Sequence, residues 1–159
     1  MLLERISNEQ LFFKRDIFSD DPKSAGMNVA ILSDVISNYL QGLEGVAQVH
    51  TRATLLEGSY SEAGLKGMMI RGFNPRRSGD IAFSLEPGWV SPPSQKGTTH
   101  GSSYTYDTHV PVLFYGFGVN HGVSSVYHPI TDIAPTLSTL LKIKFPNSCT
   151  GQPIVELLK

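Results

Sequence analysis

Residues Thr99 to Gly116 read THGSSYTYDTHVPVLFYG. His100 lies between Gly97 and Gly101 in the run Gly97-Thr98-Thr99-His100-Gly101, where small neighbours let a backbone approach a ligand or a metal closely. Pro111 to Tyr115 (PVLFY) follows as an apolar strand closed by Gly116 and Gly118. Upstream, Pro87 to Ser103 is dense in Gly, Pro, Ser and Thr and reads as a long loop. Loops of that length inside a compact domain tend to carry function. A histidine at the end of such a loop, just ahead of a buried strand, is therefore the first place to look for chemistry.

The elements on either side are legible from spacing. Downstream, Thr131 opens a helix with Ile133, Leu137, Leu140 and Leu141 on one face, and Pro135 is tolerable so close to its start. Lys144 to Lys159 closes the chain with Pro146, Gly151 and a short amphipathic end. Upstream, Asn74 to Gly79 is a turn, and Asp80 to Glu86 (DIAFSLE) is a buried strand. Further back, Gln10 to Arg15 (QLFFKR) is a short strand. Asn28 caps a helix to about Leu40, with Val29, Leu32, Ile36, Tyr39 and Leu43 at three- and four-residue steps and Gly42 and Gly45 to end it. Val46 to Arg52 alternates as a strand, and Ser61 to Arg71 is helical despite two glycines. The first seventy residues thus run strand, helix, strand, helix. The expected class is α/β, a sandwich of helices on sheet, with residues 1–72 as one segment and 73–159 as the second, which carries the His-Gly loop.

Composition narrows the function classes. The chain has 159 residues, enough for one ordinary domain or part of a larger one. Hydrophobic residues at 40% and charged residues at 17% describe a globular chain rather than a disordered one. Lys and Arg number 13 against 14 Asp and Glu, a net charge of −1 with no like-charge block, which argues against a nucleic-acid partner. The longest uncharged apolar stretch, Val110 to Val119, is too short for the roughly 20 residues of a bilayer span, so no membrane partner is expected. Cys149 is the single cysteine, so an internal disulfide or a multi-cysteine metal site is excluded. Met1-Leu2-Leu3-Glu4-Arg5 does not read as a secretion signal.

Among the five histidines, His50 falls in a strand, His121 in an Asn-His-Gly turn and His128 before Pro129, all places where an imidazole is usually structural. His100 is different, because a neutral imidazole is a common zinc ligand and catalytic zinc draws ligands from well-separated parts of a chain. The alternative at that position is a turn histidine bonded to its own loop. Asp107 and His109 are two apart, and on an extended segment they face the same way. They then suit either a pair that orients a metal ligand from behind or a structural hydrogen bond. Ser102, His100 and Asp107 have the residue types of an acyl-transfer triad, but nothing in the spacing places them. No nucleophile elbow, phosphate-binding P-loop or dinucleotide fingerprint occurs.

The run Thr99–Gly116, followed by ITDIAPTLSTLLKI (Ile130 to Ile143) and TGQPIVELL (Thr150 to Leu158), strongly resembles the carboxy-terminal end of the alkaline phosphatase superfamily. The likeness is greatest to bacterial alkaline phosphatases with a threonine nucleophile, relatives of the type I phosphodiesterase/nucleotide pyrophosphatases. Sulfatases share the general plan. GVAQVHTRATL (Gly45 to Leu55) and NPRRSGDIAFSLEPGWV (Asn74 to Val90) extend the resemblance, which covers residues 8–158. It implies the last strands and helices of an alkaline-phosphatase-like α/β sandwich, and a parent enzyme hydrolysing phosphate monoesters through a phospho-threonine intermediate. The alternatives it leaves are a phosphodiesterase or nucleotide pyrophosphatase, and, for this stretch alone, a folded module without catalysis.

The resemblance also implies two zinc ions held by aspartates and histidines. Of those ligands only the histidine of the His-Gly motif maps onto this sequence, at His100, with Asp107 and His109 as residues that would support it from behind. The nucleophile and the remaining ligands have no counterpart here, so the chain is read as a carboxy-terminal piece. That piece would lack catalysis on its own, would not bind zinc properly, and would be prone to self-association through the apolar faces of DIAFSLE and PVLFY. A small phosphate ester is the expected substrate of the parent, and a periplasmic or secreted location is what the resemblance implies.

Overall fold

The structure is a computed structural model that describes residues 2–18, 28–90 and 100–158. The expected loop from Pro87 to Ser103 therefore lies partly outside the described residues, at 91–99. The chain divides into two compact units, Met1–Val110 and Pro111–Lys159.

The first unit is built on a four-stranded antiparallel sheet of order β1-β2-β4-β3. Its strands are β1 (Leu3–Ser7), β2 (Gln10–Phe13), β3 (Val46–Thr51) and β4 (Ile81–Leu85). β1 has no counterpart in the sequence reading, because LERIS is charged and largely exposed. It pairs with β2 through a two-residue turn in which Asn8 and Glu9 both take positive φ, +50° and +54°. Such turns match strand twist but usually advertise themselves with Asn-Gly or Asp-Gly. Three strands were legible: QLFFKR ends as a strand at Phe13, and VAQVHT and IAFSL fall where alternation puts them. β4 is not an exposed face. It lies between β2 and β3, and Ile81 is fully buried.

One face of the sheet is covered by α1 (Val29–Gln41). Asn28 caps it as expected, its Oδ1 accepting from the Ala30 N–H at 2.7 Å, which satisfies a donor the helix itself leaves unpaired. Leu11, Phe13, Leu32 and Ile81 form the core, with Val29, Ile36, Leu40, Val49 and Phe83 packed against it. Tyr39 and Leu43, assigned to the same stripe by spacing, are exposed. Asp80 fastens the sheet from beneath. It is buried, its Oδ2 accepts from the Phe13 N–H at 2.8 Å and its Oδ1 from Arg15 at 2.7 Å.

Among the described residues this unit also holds a 3-10 turn at Arg15–Phe18 and the helices α2 (Arg52–Glu57), α3 (Gly64–Gly72) and a single turn, α4 (Thr105–Thr108). α2 is an addition to the sequence reading, opened by the Thr51 hydroxyl, which accepts from the Thr54 N–H at 3.2 Å. The helix expected from Ser61 starts only at Gly64, whose φ of +72° lies outside the helical range.

The second unit departs furthest from expectation. PVLFY forms no strand: Leu113 is 91% exposed and Tyr115 wholly so. A strand exists only with a ladder partner, and among the described residues none pairs with it. α5 (Ile133–Leu141) forms as expected and follows a 3-10 turn at Ile130–Asp132, but it buries the opposite face. Pro135, Thr136 and Ser138 are buried, whereas Leu137 and Leu141 are exposed. The buried face is small and polar because it grips the chain terminus. Asp132 Oδ1 accepts from the Gln152 N–H at 2.8 Å, and Thr136 Oγ1 donates to the Asp132 carbonyl at 2.6 Å while accepting from the Ile154 N–H at 2.9 Å. Gly151 lies so close to the Thr131 carbonyl that a β-carbon would stand 2.1 Å from its oxygen. The two sequence runs Ile130–Ile143 and Thr150–Leu158 are thus the two halves of one clamp.

Candidate metal loop and its cavity

The segment from His100 to His109 is organised by Asp107. The Ser102 N–H donates to Asp107 Oδ2 at 2.9 Å, folding the loop back so that Gly101 takes a φ of +110°. The Asp107 carboxyl is held below the usual carboxylate range. The Ser102 hydroxyl beside it contributes most, then the Ser102 backbone N–H, with His100 and the Gly101 N–H assisting against some desolvation. The Ser102 Oγ reaches that carboxylate without closing a well-formed hydrogen bond. Asp107 therefore makes the structural hydrogen bond that was one of the two roles sequence spacing left open. The acyl-transfer triad is not assembled, because the serine faces the aspartate rather than the imidazole.

His109 is not a partner in this. Residues Thr105–Thr108 make a helical turn rather than the extended segment assumed from spacing, so Asp107 and His109 do not share a face. His109 is exposed. The local cause is tyrosine packing. Tyr104 and Tyr106 stack at 5.8 Å between ring centroids with 20° between their planes. The Tyr104 hydroxyl donates to the Leu85 carbonyl at 3.0 Å, and the Tyr106 hydroxyl accepts from the Gly88 N–H at 3.2 Å. Burial pushes the Tyr104 phenol upward, and the Glu86 carboxylate and Tyr106 add to it. These two rings tie the His100 loop to β4 and to the turn after it. Sequence reasoning missed both, although the alternation Tyr104-Thr105-Tyr106 was its visible signal.

Beside them lies a cavity of about 380 Å³. Its floor includes Ala82 and Ser84 of β4, which alternate to the face away from Ile81 and Phe83. Met69 and Phe73, on and just after α3, form one wall, while Trp89, His100, Tyr104 and Tyr106 form another. Trp89 lies flat against Gly45, where a β-carbon would come within 2.3 Å of the indole and where φ is +83°. Of the other histidines, His50 and His128 make local contacts. His50 lies in β3 with its Nε2 at 3.2 Å from Gln48 Oε1, and burial first, then Lys66, lowers its pKa against the opposing pull of Glu62. His128 Nδ1 stands 3.3 Å from Asp132 Oδ2, within the clamp of the second unit. His121 is exposed. No group of three or more His, Cys, Asp or Glu among the described residues could hold a metal by itself.

This loop, the antiparallel sheet and the clamp define an α/β fold shared with a solved structure. Over 99% of this chain and 29% of the other, it superposes with a TM-score of 0.86 and 35% identity on the crystal structure of wild type alkaline phosphatase PafA. In sequence the chain is 37% identical over 151 residues to alkaline phosphatase PafA of Elizabethkingia meningoseptica, covering 95% of this chain and 27% of that protein. It is 34% identical over 154 residues to alkaline phosphatase PhoV of Synechococcus elongatus, covering 97% and 27%. A Myroides odoratus protein named calcium-transporting ATPase matches at 43% over 121 residues, 76% of this chain and 22% of that one. No family model matches the chain. The chain belongs to the alkaline phosphatase superfamily, and it spans about a quarter of the length of the relatives it matches. No helix among the described residues is long and apolar enough to cross a membrane.

Proposed function

We propose that this chain contributes one zinc ligand, the His100 imidazole, to a phosphatase of the alkaline phosphatase type that hydrolyses phosphate monoesters. The observation that carries the reading is His100 itself, in a loop held by Asp107 at the rim of a cavity. An imidazole beside a carboxylate is suitable donor chemistry for zinc. One donor does not make a zinc site, so the other ligands and a threonine nucleophile would come from polypeptide that the relatives possess and this chain does not match. When bound, zinc supplies stabilisation of developing negative charge on the ester oxygens and acidifies a water. This chain's part is narrower. Asp107 fixes the loop, the tyrosines fix Asp107's helical turn, and His100 is presented at the rim.

By the same reading, residues 1–72 and 73–159 are successive segments of one phosphatase domain, and the parent is periplasmic or secreted. On its own the chain is inactive and does not hold zinc properly. A phosphodiesterase or nucleotide pyrophosphatase remains the alternative reaction, and a folded non-catalytic module the alternative for the isolated chain. The test is a chimera in which this chain replaces the matching span of PafA. Zinc content and hydrolysis of a phosphate monoester and a diester are then measured with and without His100→Ala. The reading expects monoesterase activity in the chimera, and joint loss of zinc and turnover in the variant. Unchanged metal stoichiometry in the variant would remove His100 from the site.

A further inference from the structure

We infer that the outer edge of β3 is a strand-pairing site for a second copy of this chain, held shut by the Gln41 side chain. Among the described residues β3 is the last strand of the sheet and pairs with β4. The Arg52 N–H donates to the Asp80 carbonyl at the end of that pairing. Backbone groups of a strand alternate sides, so Val49 and Thr51 turn theirs away from β4. The Gln41 carboxamide takes up this outer side. Its Oε1 accepts from the Val49 N–H at 3.1 Å, and its Nε2 donates to the Ala47 carbonyl at 3.3 Å. Accepting from one residue while donating to the residue two before it is what a single residue of a neighbouring parallel strand does. The side chain stands in for a strand.

The composition of β3 independently marks an edge that needs such a cover. VAQVHT is β-prone, has no proline and carries no Asp, Glu, Lys or Arg, the pattern that pairs readily when left open. The opposite edge defends itself differently, since β1 (LERIS) holds Glu4 and Arg5 and its register slips between Leu3 and Arg5. The chain puts Gln41 in place cheaply. It is the last residue of α1, and Gly42 to Gly45 turn straight back into β3, with the Gly42 N–H donating to Tyr39 and the Val46 N–H to Leu43. A cap tethered so near acts at high local concentration and outcompetes a second molecule. With the cap displaced, the edge fits its own copy. Antiparallel pairing about a two-fold axis at Val49 sets Val49 against Val49 and Ala47 against Thr51, with Gln48 opposite His50 and no like charges in register.

None of this rests on the phosphatase reading, and it is tested without zinc or substrate. Every sample carries Leu113→Asp, so that association through the exposed residues 111–117 does not enter the result. Gln41→Met keeps the length and helix preference of the side chain and removes both its polar atoms. Gln41→Ala, measured beside it, is expected to behave alike. With Gln41 present, amide exchange at Val49 is expected not to vary with concentration, and sedimentation to give a monomer. In Gln41→Met, exchange at Val49 in dilute solution is expected to quicken about threefold or more, the effect of one exposed hydrogen bond. It is then expected to slow again as concentration rises and the mass approaches that of a dimer. Adding Gln48→Lys sets a lysine on the strand, a device natural sheets use against edge pairing. It is expected to restore the monomer while Val49 still exchanges fast. Unchanged Val49 exchange in both Gln41 variants would show that the carboxamide caps nothing. A monomer at every concentration in those variants, or a dimer in which Val49 stays fast, would remove the pairing site from β3.

Discussion

His50 and Asp80 show how single residues set the stability of the sheet. Burial and Lys66 together disfavour the charged form of His50, so its folded pKa lies below the ordinary histidine value of 6.5. Below about 6.5 the unfolded chain takes up a proton that the folded chain resists, so stability is full above that pH and falls as pH drops toward the folded pKa. One residue of this kind gives at most about 1.4 kcal/mol per pH unit. Denaturant midpoints between pH 5 and 7 are expected to fall with acidification in the natural chain and to flatten in His50→Gln. An identical pH slope in both would show that His50 is not the group responsible. Asp80 acts through satisfied bonds instead. Asp80→Ala leaves the Phe13 N–H unpaired in the core and releases Arg15, a loss of about 2–4 kcal/mol by the usual cost of orphaned buried groups. Asp80→Asn keeps one acceptor and is expected to fall between. A shift below about 0.5 kcal/mol in the alanine variant, the range of an ordinary surface substitution, would refute this.

At the scale of elements, the clamp between α5 and the Gly151–Ile154 segment makes the sharpest prediction. Thr136→Val preserves shape but deprives the Ile154 N–H of its acceptor, about 1–3 kcal/mol, whereas Thr136→Ser keeps the oxygen. Hydrogen exchange at the Ile154 amide is expected to quicken roughly tenfold or more in the valine variant and to recover in the serine variant. Gly151→Ala drives a β-carbon against the Thr131 carbonyl and is expected to open the same contact. Equal exchange in all variants would deny the clamp. The elements that could be read from sequence were those whose partners are near and whose signals are strong: Asn28 and its helix, and the alternating strands beside Ile81. The unread ones have weak local codes. β1 depends on a hairpin turn without glycine, and α2 on a single threonine cap. α5 was placed well but faced wrongly, because leucines at helical spacing announce an apolar stripe, while the contacts of Thr136 and Asp132 decide which side is buried. In the candidate loop the Ser102–Asp107 bond is the local hydrogen bond that spacing left as one alternative for Asp107. The expected Asp107–His109 pairing was not realised, since the tyrosines that coil residues 105–108 act through the Leu85 carbonyl and the Gly88 amide, contacts far off in sequence.

The whole molecule carries apolar surface of a kind that local structure does not explain. In the second unit Leu113, Tyr115, Phe117 and Val123 are each more than nine-tenths exposed. Leu113 and Tyr115 belong to the segment with the composition of a buried strand and no ladder. Unpaired, apolar backbone of this sort is a template for association. Of the two faces considered from sequence, DIAFSLE is excluded by the burial of Ile81 within the sheet, so PVLFY is the one left to act. We therefore expect the chain to self-associate through residues 111–117, with an average mass by sedimentation that rises with concentration. Leu113→Asp, which removes no contact within the fold, is expected to lower that mass toward the monomer while leaving circular dichroism unchanged. In the PafA chimera the same substitution tests the other side of the argument. If this segment becomes a paired strand once the remaining fold surrounds it, a buried aspartate there should cost the chimera several kcal/mol, or prevent its folding altogether. A monomer at every concentration, together with a chimera indifferent to Leu113→Asp, would show that PVLFY is an exposed loop by design and that its strand-like composition misleads.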